Sequence, residues 1–216
     1  MNIKHTSLLL LAGSASVFAT PSGLNNIPTA DIVPHRTVAV QLYDSFGNGP
    51  HDFSVGFKTG WDFSPLHLEL GFDSHLAPDP TGPLTFQTKL GFSPWEGGKV
   101  AVGVAGVALT DTSRAGDPFT YAVLTQDLKF LRVSVGYGLQ TDGNSVLLGL
   151  DRTFKIAGHN LNLNADLVQT RDESGWLASV GFKYDVTEHI VFESWANLPD
   201  EGSASFVAKV NYVFKF

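Results

Sequence analysis

Cysteine is absent from the 216-residue chain, which excludes a disulfide scaffold, a thiolate metal site, a cysteine nucleophile and a lipid-modified N-terminal cysteine. Charge is sparse: Asp, Glu, Lys and Arg make up 16% of residues against 43% hydrophobic ones, the reverse of a disordered chain. The net charge of −7 comes with no basic block, so a nucleic-acid partner is not expected. No apolar run reaches the roughly 18 residues of a membrane helix, which leaves strands as the only means of crossing a bilayer. At about 100–200 residues per domain, the length fits one domain whose core needs no staples.

Residues 1–19 read as a secretory signal peptide. Lys4 precedes an apolar, small-residue run from Ser7 to Phe18, and Val17-Phe18-Ala19 offers a cleavage site after Ala19. Such a run, as a helix, spans about 18 Å and falls short of the roughly 30 Å hydrocarbon core. Residues 20–36 contain Pro21, Pro28 and Pro34 and no alternation; they are expected to be irregular, lying in the periplasm or folding back into the interior of the following domain.

From Thr37 onward apolar residues recur at every second position, interrupted by Gly, Pro, Asn and Asp clusters, which is the pattern of half-buried strands. Twelve runs are read: 37–45, 53–63, 66–75, 84–93, 99–109, 119–127, 130–140, 145–156, 160–169, 176–185, 189–197 and 204–216. Their lengths cluster near the 9–11 residues or so of a tilted membrane strand, whereas strands of soluble domains centre on about 5–6. The expected fold over residues 37–216 is therefore an all-β, antiparallel, up-and-down transmembrane barrel of about 12 strands. Connectors after the even strands are mostly tight, as at Phe63-Ser64-Pro65 and Ala157-Gly158-His159, and those after the odd strands are longer and richer in Asp, Gly and Pro. In outer-membrane barrels short turns are periplasmic, so both chain ends are expected in the periplasm. The longer connectors carry Asp52, Asp79, Asp111, Asp117, Asp142, Asp172, Glu173, Asp200 and Glu201 against Arg114 and Arg171, giving a negative external rim.

Each strand has two faces of opposite chemistry. In the seventh run Leu131, Val133, Val135, Tyr137 and Leu139 alternate with Arg132, Ser134, Gly136, Gly138 and Gln140. The polar faces together carry Lys58, Lys89, Arg132, Lys155, Lys183, Lys209 and Lys215 against Asp62, Glu69, Asp73, Asp151, Asp166, Asp185 and Glu193. These are the candidate lumen-lining residues, since isolated charges are not tolerated in hydrocarbon. A soluble sandwich also has one apolar and one polar face per strand. Aromatics near many strand ends, among them Trp61, Phe63, Phe92, Trp95, Phe130, Tyr137 and Trp176, favour the membrane alternative, where they form interfacial girdles. The fifth run departs from the pattern, being apolar on both faces with Ala, Gly and Val turned inward.

Chemistry beyond solvation has little support. No catalytic residue is assigned, because a nucleophile and its base need spatial proximity that sequence does not supply. His67, Glu69, Asp73 and His75 share one strand face, but neighbours on that face stand about 7 Å apart, too far for four to surround one small ion; no metal or other cofactor is expected. Gly47-Asn48-Gly49 and Asp142-Gly143-Asn144 fit turns rather than phosphate loops.

The last run ends Tyr212-Val213-Phe214-Lys215-Phe216, with aromatics at the final position and two and four places before it. This resembles the terminal signal of bacterial outer-membrane β-barrel proteins. The resemblance implies that Tyr212, Phe214 and Phe216 are read by the barrel-assembly machinery and that the partners include outer-membrane lipids. Gly23-Leu24-Asn25-Asn26-Ile27-Pro28-Thr29-Ala30 resembles the opening of some YjbH-like outer-membrane proteins linked to exopolysaccharide export; it implies an envelope location. The expected function is a small porin-like outer-membrane channel for small hydrophilic solutes. The alternatives are a non-transporting barrel that supports the membrane or docks partners, and a lipid-acting surface enzyme. The balanced wall charges would give weak ion selectivity in an open pore, or ion pairs that close it.

Overall fold

The computed structural model describes residues 22–47, 52–77, 82–112, 116–141, 143–169 and 175–216. The expected signal peptide and the rim residues Asp79, Arg114, Asp142, Arg171, Asp172 and Glu173 lie outside the described residues. Twelve strands follow one another: β1 (Thr37–Phe46), β2 (Asp52–Phe63), β3 (Leu66–Ala77), β4 (Leu84–Trp95), β5 (Gly98–Ala108), β6 (Phe119–Asp127), β7 (Arg132–Gln140), β8 (Gly143–Ile156), β9 (His159–Gln169), β10 (Trp176–Asp185), β11 (Ile190–Pro199) and β12 (Ser205–Lys215). Every strand pairs antiparallel with its neighbours in sequence, and β1 pairs with β12, Thr37 opposite Lys215 and Phe46 opposite Phe206. Closure removes both sheet edges.

The strands begin and end within two residues of the alternating runs. Where they differ, local turn chemistry is responsible. β7 starts at Arg132 rather than residue 130 because Lys129 adopts a positive φ of 69° and the Leu128 N–H donates to the Leu131 carbonyl at 2.9 Å, drawing Phe130 and Leu131 into the turn. β4 continues through Trp95, leaving a two-residue connection, Glu96-Gly97, with Gly97 at φ 73°; tight hairpins need that left-handed backbone.

The barrel is inverted relative to a soluble domain. Val135, Tyr137 and Leu139 on β7 are 46–48% exposed, whereas Ser134, on the opposite face of the same strand, is 1% exposed. Among the described residues Glu69, Lys89, Asp151, Asp166, Lys183, Asp185 and Glu193 are all buried. A two-layer sandwich would bury the aliphatic faces instead, so the outward-facing apolar belt decides between the two architectures.

Residues 22–36 lie inside the ring. Through hydrogen bonds, ion pairs, apolar packing or close approach they meet every strand from β2 to β11, which only an interior position allows. The segment leaves the wall at Arg36, whose φ is 55° and whose N–H donates to the Gly60 carbonyl at 2.9 Å. Small wall residues make room for it. On the inner face of β5, Ala101 packs with Ala30, Tyr121 and Val123, which accounts for the apolar inward positions read in the fifth run. Gly149 faces Leu24 and Ile27, Gly91 faces Ile32, and Gly181 faces Asn25.

Candidate functional site

The interior network is built by register. Antiparallel pairing places Lys183 and Lys209 opposite Glu193 from its two sides, Lys89 opposite Glu69, and Arg132 opposite Asp151. Glu193 then lies 3.5 Å from Lys183 and 3.9 Å from Lys209 and accepts a 2.6 Å hydrogen bond from Asn211 Nδ2. Glu69 lies 3.8 Å from Lys58 and 3.9 Å from Lys89. Asp151 accepts from Arg132 Nε at 3.2 Å and from Asn162 Nδ2 at 2.7 Å, and Gln87 donates to Asp73.

The wall addresses the interior segment largely through its backbone. Glu69 accepts both Ser22 Oγ and the Val33 N–H, the latter at 2.9 Å, and so joins the two limbs of the segment. Asp166 accepts the Asn26 N–H at 3.1 Å, and Thr125 Oγ1 accepts the Ala30 N–H at 2.9 Å. Lys89 donates to the Thr29 carbonyl at 3.2 Å and Lys183 to that of Gly23. The Asn26 side chain donates to Ser179 and, at 2.8 Å, to Asn197. Apolar support is limited to small clusters, Leu24 and Ile27 against Leu147 and the Ala30 contact on β5. A cavity of about 220 Å³ remains beside the segment, bounded by Lys58, Glu69, Lys183 and Lys209.

Asp31 is the strongest charged link, and sequence reading missed it. Its carboxylate receives Arg132 and Lys99, each at 2.7 Å. Burial alone would raise the Asp31 carboxyl, but the Arg132 guanidinium and the Lys99 ammonium outweigh it and hold it well below the usual carboxylate range. A depressed native value means the link contributes fully above the ordinary unfolded value near 4 and is lost as pH falls from there through the native one. Segment docking, followed by protease protection of residues 22–36, is accordingly expected to be insensitive to this group above about pH 5 and to weaken below about pH 4. Asp31→Asn should remove that part of the acid sensitivity; an unchanged acid limb would show that the link does not hold the segment.

The remaining candidates fall outside this network. Lys155 is exposed, Asp62 pairs with His67 at 2.7 Å by the β2–β3 turn, and Asp185 accepts from Asn160 Nδ2 at 2.6 Å near the end of β10. Tyr212, Phe214 and Phe216 are all exposed, on the seam where Val40 faces Tyr212 and Val38 faces Phe214. The four residues of the β3 face do not converge: His67 goes to Asp62, Glu69 to its lysines, Asp73 to Gln87, and His75 to Asp52 at 2.8 Å and Ser54 at 3.0 Å. Among the described residues no group of three or more imidazole, carboxylate or thiol side chains is gathered for a metal. The Ser54, His75 and Asp52 contacts both use His75 Nδ1, whereas a catalytic relay needs the base to hold its nucleophile and its orienting acid on different ring nitrogens.

No protein-family model matches the sequence, and no curated protein does. Among solved structures, the KdgM porin is similar with a TM-score of 0.58 at 8% identity, over 82% of this chain and 99% of that one. The KdgM porin in complex with disordered oligogalacturonate is similar with a TM-score of 0.57 at 7% identity, over 83% and 99% of the two chains. The NanC porin follows with a TM-score of 0.54 at 9% identity, over 82% and 99%. The chain thus has the fold of these small porins, a closed antiparallel barrel of twelve strands.

Proposed function

We propose that the chain is a bacterial outer-membrane barrel that forms a small porin-like channel for small hydrophilic solutes. The observation that carries this reading is the inversion of the barrel, apolar outside and charged within, on the fold shared with KdgM and NanC. An apolar belt of this kind is stable only against acyl chains, and a charged interior only against water or paired groups. Twelve strands stand between the roughly eight whose interior side chains fill and the sixteen or so that leave an open channel. The wall residues nearest the remaining cavity, Lys58, Lys183 and Lys209, would meet a passing solute, and the complex of the KdgM porin with oligogalacturonate supports solute passage through such a barrel. Both chain ends face the periplasm in this reading, and the exposed Tyr212, Phe214 and Phe216 serve the assembly machinery.

Liposome swelling with graded sugars tests the channel. Smaller sugars should enter faster than larger ones, and a folded barrel that admits none, with or without residues 22–36, is no channel. Neutralising Lys183 and Lys209 to Gln should move the reversal potential towards cation preference; an unchanged value would take these residues off the conduction path. A second reading, a non-transporting barrel that supports the membrane or docks partners, is favoured by one observation, the occupied interior. Nothing comparable favours an enzyme, and the porins it resembles are channels.

A further inference from the structure

Resting on the channel reading, we infer that residues 22–36 are a tethered gate that closes the lumen when docked and opens it when it swings out about Arg36. Three features support a built-in closure. The wall is hollowed to receive the segment: a Cβ on Gly149 would lie 2.5 Å from Leu24 Cδ1 and 2.7 Å from Ile27 Cδ1, and one on Gly91 would lie 3.1 Å from Ile32 Cγ1. The wall's charged groups point at it, Glu69 binding both Ser22 and Val33, and Lys89 and Lys183 binding carbonyls of Thr29 and Gly23. It also spans the interior, reaching Glu69 on one side and Ser179 and Asn197 on another.

Other features make this closure reversible. Among the described residues one backbone bridge, His35 to Gly60, joins the segment to a strand, and the Phe216 N–H bond to the Arg36 carbonyl lies at the pivot itself, so leaving breaks no ladder. The contacts are chiefly hydrogen bonds and ion pairs, which water can replace on both partners. The cavity alongside Ser22 to Pro28 offers water a way in. Asn25 Nδ2 is buried without a partner among the described residues, an unmet donor that undocking would hydrate.

The test uses the full chain in planar bilayers. Since the sequence has no cysteine, Asn26→Cys with Ser179→Cys supplies the only thiols, and a short bis-thiosulfonate linker joins these neighbours. The unlinked protein should show brief openings, the linked protein none, and reductant should restore them. Deleting residues 23–33 should raise time-averaged conductance about tenfold or more, as expected when a sparsely populated open state becomes the only one. Linked protein that conducts as well as the deletion variant overturns the gate and leaves the channel standing. A deletion variant that shows the heat-dependent gel shift of a folded barrel yet stays silent overturns the channel itself. If the deletion variant does not fold, the linked and reduced forms of the full chain decide: equal conductance in both, whether silent or open, overturns the gate.

Discussion

Gly60→Val is expected to drive residues 32–35 off the wall while leaving the barrel closed. A Cβ at this position would lie 1.6 Å from the Val33 carbonyl oxygen, 2.4 Å from its carbon and 2.6 Å from the Pro34 oxygen. All three are backbone atoms, so no side-chain rotation relieves the overlap, and the two larger valine carbons add to it. The strand loses nothing by the change: Gly60 sits within β2 opposite Thr37 and Glu69, and valine suits a strand better than glycine does. Conductance should rise about tenfold or more if docking is what keeps the lumen shut, and residues 22–36 should become open to protease. Thr59→Val, one position along and facing the other way, should do neither. A Gly60→Val protein with wild-type protection would mean that the segment can dock without the Val33 contact.

Glu193→Ala should weaken the wall rather than the gate. Its carboxylate faces Lys183, Lys209 and Asn211 and is 2% exposed. Removing one member of a buried ion pair costs about 3–5 kcal/mol because the partner charge stays behind; the cavity beside Lys183 and Lys209 has room for water to solvate them, which places this case at the lower end. The midpoint of heat unfolding in detergent should fall clearly. Glu193→Gln should fall less, since it still accepts from Asn211, and Lys155→Ala, at an exposed site, should stay within about half a kcal/mol. Equal midpoints for wild type and Glu193→Ala would show that the lysines find other partners without cost.

The strands were legible in the sequence because the outer face must be continuously apolar, and a period of two survives even without knowledge of the partner strand. The same period places Glu69, Lys89, Asp151, Asp166, Lys183 and Glu193 on the face that the structure buries, while Lys155 is exposed. The pairing of these charges was not legible: that Glu193 faces both Lys183 and Lys209 is a matter of register between three strands, set by turn geometry at Glu188 and the loop before Ser205 rather than by any local pattern. The interior segment was hardest to read. It is recognised through the amides of Asn26, Ala30 and Val33 and the carbonyls of Gly23 and Thr29, groups that every residue carries and no composition reveals. The signal that did exist was on the wall, where Gly60, Gly91, Gly149 and Gly181 stand at polar-face positions. Asp31 was missed because it lies before the first alternating run, although its partner Lys99 opens the fifth.

The seam bears on the order of events in biogenesis. The Phe216 N–H donates to the Arg36 carbonyl at 3.0 Å and the Phe216 ring meets Trp61 at 5.7 Å, so the residue that follows β12 is fastened beside the point where the interior segment leaves the wall. Contacts between opposite ends of a polypeptide carry the largest loop-closure penalty and form late. The curled wall is therefore expected to stay split along this line until β12 meets β1, so that residues 22–36 are laid sideways through the gap instead of being threaded down a finished tube.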